Sequence, residues 1–301
     1  MAYGLRGPAL FRTLASLPPA KGVAFAGCAV GQRFIEGTRM DLELKGRKAI
    51  ITGASKGIGF ATAKLLADEG MDVAICARTA ADVEKAVGEL KAKGVNAIGD
   101  AIDVTNADQY SAWVDSAARR LGGLDTFVHN VTASPSTPGM RGWDLAYQTD
   151  IMGAVRGVEA ALPHLKASPA AKARAAAIVM ISSISGIMSK VIPTPGAYAY
   201  GTAKAAVISY GAQLSKDVAK HGIRVNIISP GPIYFAGGPW DRVKARMPQV
   251  YEAAIETCVI GRLGAPEDIA NAVAFFASPR SGFTVGQNLH VDGGYMQHVP
   301  F

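Results

Sequence analysis

Tyr200 and Lys204, in the run YGTAK, are the side chains best placed to move a proton. On a helix the i, i+4 spacing puts the phenol and the ammonium on one face. A free tyrosine ionises at about pH 10 and is a poor acid–base group at neutral pH, but a nearby cation favours its phenolate. Such a pair can exchange a proton with a carbonyl or alcohol oxygen. Ser182 and Ser183 close the apolar run Ile178–Ser182. A hydroxyl there can hydrogen-bond the same oxygen and set it against Tyr200. Each signal alone is weak, since YxxxK is also an ordinary surface pair and strand-end serines often satisfy loop backbone. The order of strand then helix strengthens both, because chemistry in open α/β sheets gathers at the C-terminal ends of the strands. Ser183 is no obvious acyl-transfer nucleophile, as no GxSxG elbow is present.

A second constellation binds rather than reacts. Thr52-Gly53-Ala54-Ser55-Lys56-Gly57-Ile58-Gly59 follows an apolar run and opens a helical pattern. Glycines there let the backbone turn sharply and approach a pyrophosphate, while the helix N-terminus offers free N–H groups and a positive dipole end. A NAD site places an acid at the end of the next strand to bind the ribose 2′-hydroxyl. That position is Ala77, and Arg78 follows. Two cations, Lys56 and Arg78, and no acid suit a 2′-phosphate, so the expected cofactor is NADP(H). The plain alternatives are an ordinary βα turn and a solvated arginine.

These groups need a scaffold, and the sequence supplies one. Short apolar runs at Lys48–Thr52, Asp72–Cys76, Asn96–Ile102, Thr126–His129, Ile178–Ser182, Arg224–Ile228 and Asn288–Val291 alternate with helical patterns. The helices fall at Gly59–Glu69, Ala80–Ala92, Asp108–Leu121, Trp143–Lys166, Ala199–Lys220 and Pro266–Ala277. This alternation predicts an α/β fold, a doubly wound parallel sheet of Rossmann-like type, as a single domain over residues 41–301.

Composition narrows the function classes. The chain of 301 residues is 49% hydrophobic and 18% charged, which excludes bulk disorder, collagen and coiled coil. The net charge is +7, yet residues 1–40 carry five basic residues and one acid. The body is nearly balanced, so no nucleic-acid partner is expected. No apolar run reaches the roughly 18 residues of a spanning helix, and no membrane association is expected. Three scattered cysteines without a CxxC or Cys/His spacing point to a reducing, cytoplasmic setting with no metal site. Residues 1–40 form an extension for which three readings stand. They are a targeting peptide, a disordered segment, or translation from a start upstream of Met40; the second and third are preferred here.

Together these motifs resemble the short-chain dehydrogenase/reductase family over about residues 42–297, in particular its 3-oxoacyl-carrier-protein reductase members. The resemblance rests on TGxxxGxG at 52–59, Asp103-Val104, Asn130, Ser183 and Tyr200/Lys204. It continues through Arg224-Val225-Asn226, Pro230-Gly231, Gly261-Arg262, Pro266-Glu267-Asp268 and Val291-Asp292-Gly293-Gly294. It implies Tyr200 as general acid in reduction and base in oxidation. Lys204 would hold the nicotinamide ribose and Ser183 would orient the reacting oxygen. The cofactor would lie along Gly53, Ser55, Lys56, Gly57, Ile58 and Gly59, with Arg78 beyond. Asp103 and Val104 would sit on its adenine side, Asn130 beside it, and Pro230, Gly231 and Ile233 by the nicotinamide.

Three departures from the family pattern stand out. The usual Asn-Ala-Gly reads Asn130-Val131-Thr132. The helix asparagine of the catalytic tetrad falls at Asp150, which could pair with Lys204 or relay a proton. The Ser183-to-Tyr200 interval is long, with extra residues in Ile187–Tyr198. Tyr234–Val259 is the expected substrate cover, with Tyr234, Phe235, Trp240 and Tyr251, a hinge at Gly237-Gly238, and the loop 133–142 beside it. Those aromatics and Met188 suit an apolar or ring-containing carbonyl, or simply pack the cover down. Arg242, Lys244 and Arg246 could meet a carboxylate, or form a solvated face. The family implies a homotetramer built on Trp143–Lys166, Ala199–Lys220 and the C-terminal segment. Rival readings are an NAD-dependent alcohol dehydrogenase of the same family and a dinucleotide-binding sensor without catalysis; the sensor does not need Ser183, Tyr200 and Lys204 together.

Overall fold

The computed structural model describes residues 40–189 and 195–297. The strands are β1 (Lys48–Thr52), β2 (Asp72–Ala77), β3 (Ala97–Ala101), β4 (Thr126–His129), β5 (Ala176–Ile181), β6 (Ile223–Pro230) and β7 (Asn288–Val291). All pair in parallel, in the order β3-β2-β1-β4-β5-β6-β7. The helices are α1 (Gly57–Asp68), α2 (Ala80–Lys91), α3 (Ala107–Leu121), α4 (Gly139–Ala146), α5 (Met152–Ala167), the short α6 (Pro169–Lys172), α7 (Ala197–Val218), α8 (Pro239–Arg246), α9 (Pro248–Thr257) and α10 (Pro266–Ala277).

The inner strands β1, β2, β4, β5 and β6 are buried along almost their whole length because both faces of the sheet are covered there, while the edge strands β3 and β7 are only partly buried. Alternation along each strand then feeds two cores. Ile50 and Ile178 point into one with Tyr110, Trp113, Val158, Leu165 and Val207, so α3, α5 and α7 cover that face. Ile51 and Val179 point into the other with Leu66, Leu90, Ile269 and Val273, under α1, α2 and α10. The family-pattern residues of the RVN run are staples of this frame. Buried Arg224 donates to the carbonyls of Phe276 (2.9 Å) and Ser278 (3.1 Å), tying β6 to the end of α10. Asn226 Nδ2 donates to Thr284 O at 2.8 Å.

The doubly wound parallel sheet is as expected, and the described residues from Asp41 onward form one compact unit. Strand order reverses at β1, whose neighbours are β2 and β4. A crevice above such a switch point is where this architecture takes ligands.

One expectation is corrected and one segment gains its detail. Trp143–Lys166 is not one helix: α4 and α5 are separated by a π-helical turn, Tyr147–Ile151. A π turn inserts one extra residue into the ladder, which hydrophobic periodicity does not reveal. The cover Tyr234–Val259 is largely helical, as α8 and α9, each started by a proline at its first turn. Residues 1–39, the middle of the Ile187–Tyr198 segment and the tail Val299–Phe301 lie outside the described residues.

Candidate active site

The glycine turn is fixed to the sheet before any ligand is considered. Ala54 N–H donates to Cys76 O at 3.0 Å, tying the turn to β2. Asn130, just past β4, braces it from the other side. Its Nδ2 donates to Thr52 O (3.0 Å) and Gly53 O (2.9 Å), and its N–H donates to Thr52 Oγ1 (3.0 Å). Gly59 must lack a side chain for this: a Cβ there would sit 2.5 Å from Asn130 Nδ2. The N-cap of α1, Lys56, makes no side-chain cap, and the first turn holds no acid. The leading N–H groups of α1 are thus open to an anion. Lys56 and Arg78 are exposed and form no ion pair among the described residues. This arrangement fits a phosphorylated dinucleotide.

Other expected binding residues divide between the rim and the frame. Ser55 is half-buried in the turn, and Ile58 packs against the core under α1. Asp103 is exposed and accepts from Thr105 N–H (3.0 Å) and Oγ1 (2.8 Å). The Val104 side chain is buried in the other core. Pro230 ends β6, Gly231 N–H donates to Val291 O at 3.0 Å, and Ile233 is buried.

The catalytic candidates meet where β5 ends against α7. Gly186, in the turn after Ser183, makes the approach possible. A Cβ there would lie 2.7 Å from Ala205 N and 2.8 Å from the Lys204 carbonyl carbon. Ser182 Oγ donates to Lys204 O at 2.8 Å, so of the two serines Ser182 is structural. Ser183 Oγ accepts from Ser185 N–H at 3.1 Å, which leaves its own proton free for a substrate oxygen. Lys204 is buried, donates to Ile181 O at 3.0 Å, and stands 5.7 Å from the centre of the Tyr200 ring. Asp150 pairs with it: Oδ1 lies 2.9 Å from Lys204 Nζ. Burial opposes the ammonium's charge, but Asp150, with help from Tyr200, outweighs it and holds the Lys204 pKa above its ordinary value.

Sequence reasoning missed three neighbours. Thr132 Oγ1 donates to Asp150 Oδ1 at 2.7 Å, and Ala133 N–H to Oδ2 at 2.9 Å. His129, in β4, is fully buried with neither ring nitrogen hydrogen-bonded to a side chain or backbone group at good geometry. Burial first, then the Lys204 charge, pushes its pKa down to about 4, so the ring is neutral. A histidine in the apolar run TFVH was the available signal. Phe235, expected over the substrate, lies instead against the glycine turn: a Cβ on Gly57 would fall 2.6 Å from its ring.

The rest of the cover packs on itself. Tyr234, Trp240 and Tyr251 gather around Ala254, Cys258 and Leu263. Lys244 Nζ stands 5.5 Å and 5.3 Å from the centres of the Tyr234 and Tyr251 rings, and Arg242 donates to Gly237 O at 3.0 Å. Two of the three cations are therefore engaged within the cover. At the expected hinge Gly237 N–H donates to Asp241 Oδ2 at 2.9 Å, and Gly237 takes the left-handed φ of 74°.

A family model described as enoyl-(acyl carrier protein) reductase matches residues 53–296. The isoepoxydon dehydrogenase of Penicillium expansum is 37% identical over 254 residues, spanning 83% of this chain and 95% of that protein. The chain belongs to the short-chain dehydrogenase/reductase family. Within this family, the cis-4-hydroxycyclohexanecarboxylate dehydrogenase of Sinomonas cyclohexanicum is 38% identical over 260 residues, spanning 83% and 96% of the two chains. The structure of L-sorbose reductase from Gluconobacter frateurii, complexed with NADPH and L-sorbose, is 30% identical. It superimposes with a TM-score of 0.76, covering 86% of this chain and all of that one. In this short-chain dehydrogenase/reductase two of the three departures from the family pattern meet, through the contact of Thr132 with Asp150.

Proposed function

We propose that the protein is an NADP(H)-dependent oxidoreductase that interconverts a ketone and a secondary alcohol. Tyr200 gives the proton in reduction and takes it in oxidation. The observation that carries this reading is the buried Lys204–Asp150 pair beside Tyr200. It stands past the C-terminal end of β5, on the same edge of the sheet as the glycine turn after β1. When bound, the dinucleotide supplies or accepts the hydride. Lys56 and Arg78, with Ser55, would hold its 2′-phosphate end, and Gly53, Gly57, Ile58 and Gly59 its pyrophosphate. Asp103 and Val104 would flank the adenine. Asn130, Pro230, Gly231 and Ile233 would line the nicotinamide side, and Lys204 the ribose. Ser183 holds the substrate oxygen for Tyr200. NADP(H) is favoured by the two uncommitted cations and by the NADPH in the sorbose reductase.

The substrate we favour is a ring-containing carbonyl; one relative's name denotes a hydroxylated ring that carries a carboxylate. We further propose a homotetramer, supported by exposed Phe283 and Leu289 near and on the edge strand β7. A cytoplasmic location is supported by the free, buried Cys76 and Cys258. A panel of cyclic ketones followed by NADPH absorbance tests the reading. Tyr200→Phe should lower kcat by about 10²- to 10⁴-fold while NADPH binding stays measurable. Retained turnover in that variant, or a preference for NADH in the parent, would overturn it.

A further inference from the structure

Asp150 has no exposed side-chain surface and Lys204 only 1%. A dry ion pair holds together only when hydrogen bonds satisfy what the partner charge leaves over. A carboxylate carries two oxygens with about four acceptor sites. Here Oδ2 takes the Ala133 N–H, and Oδ1 faces both Lys204 Nζ and the Thr132 hydroxyl. That hydroxyl has one proton. Ala133 O lies 3.3 Å from it and Asp150 Oδ1 only 2.7 Å, so the charged acceptor takes it. Threonine is branched at Cβ and stiff at χ1, which suits a fixed donor.

The π turn supplies the acid and the loop after β4 supplies both donors. The cluster therefore joins two elements through the carboxylate that faces Lys204. Of the three Lys204 donors, one goes to Ile181 O and one to Asp150, leaving the third for the Tyr200 side.

We infer that Thr132 is a positioning residue of the reaction. With the Ala133 N–H it locks the Asp150 carboxylate as the counter-ion of Lys204, and so sets how much positive field reaches the Tyr200 phenol. This rests on the role proposed above for Tyr200. The ionisable groups facing the Lys204 ammonium are Tyr200 on its own helix, Asp150 on the π turn and His129 on β4; His129 is neutral. A well-held carboxylate offsets the ammonium. A poorly held one leaves the ammonium to favour phenolate more strongly, so the ionisation governing alcohol oxidation moves to lower pH.

The test is a set of pH–kcat/KM profiles for alcohol oxidation. Thr132→Val keeps the shape and removes the donor. It should lower kcat about tenfold, as expected for a hydrogen bond to a charged group, with substrate KM changed less than about twofold. It should also move the acidic limb down by roughly half a unit or more. Thr132→Ser should restore both. Asp150→Asn should move the limb the same way, and Thr132→Val added to it should change nothing further. A Thr132→Val profile that overlays the parent overturns the inference, as does an effect of equal size in the Asp150→Asn background. Tyr200→Phe separates the two failures: if it is inactive while Thr132→Val is silent, only the inference falls.

Discussion

The protein keeps its functional cations in two opposite states. Lys204 is buried, with a carboxylate and a carbonyl fixed on it by the fold. Lys56 and Arg78 stand exposed, without an ionic partner among the described residues. The difference follows from desolvation. A charge taken out of water must be compensated by the protein itself, or the fold loses several kcal/mol. A charge left in water costs almost nothing to hold in reserve for a ligand. The chemistry thus has its charge in place before a substrate arrives, while cofactor recognition is completed only by the ligand's own phosphate. Removing the partner of the first should damage fold and chemistry together; removing one of the second should touch binding alone.

The harshest way to break that contrast is Asp150→Ala. It leaves the Lys204 ammonium buried and uncompensated, an expected loss of about 3–5 kcal/mol. The urea midpoint should fall accordingly, and Asp150→Asn should fall less because an amide oxygen still accepts from Lys204. An unchanged midpoint for Asp150→Ala would mean that solvent reaches the pair and that the two kinds of cation are not distinct.

A second test asks whether the buried site tolerates another positive charge. His129 is neutral, its pKa pushed from the ordinary 6.5 down to about 4 by burial and by Lys204. Between those values the unfolded chain binds a proton that the native protein refuses. Stability should therefore fall as pH drops from about 6.5 to about 4, then level off, an effect on the order of 3 kcal/mol. The readout is the difference between parent and His129→Asn midpoints across that range. A difference that does not vary with pH would show that His129 titrates normally.

Most of the frame was legible because it is local. Lys48–Thr52, Thr126–His129, Pro266–Ala277 and Asn288–Val291 fall where the apolar runs and helix signals put them. The glycine turn was legible for the same reason, as TGxxxGxG marks it within eight residues, although its braces, Cys76 O and Asn130, lie outside them. The catalytic cluster was legible only in part. Tyr200 and Lys204 share one helix, but the partner of Asp150 was left open between Lys204 and a proton relay. Thr132 and Asp150 are eighteen positions apart, and their contact depends on a π turn that no periodicity announces. The lid aromatics were ambiguous because one residue type serves both an apolar ligand and an apolar cluster; here Tyr234, Trp240 and Tyr251 pack in the cluster and Phe235 lies on the glycine turn.

The mildest expected effect is the sharpest discriminator. Arg78→Ala removes an exposed cation just past β2 that makes no side-chain hydrogen bond or ion pair among the described residues, so the thermal midpoint and kcat at saturating cofactor should not change. KM for NADPH should rise about 10- to 100-fold, the usual worth of a charge-assisted contact, while KM for NADH stays within about twofold. Because the contact is solvent-exposed, its contribution is screened by salt. The parent's KM for NADPH should therefore climb between low and high ionic strength, and the variant's should climb less. Equal losses for both cofactors would mean that Arg78 supports the turn rather than reading the 2′-phosphate. The contrast between a committed and a reserved cation would then have to rest on Lys56 alone.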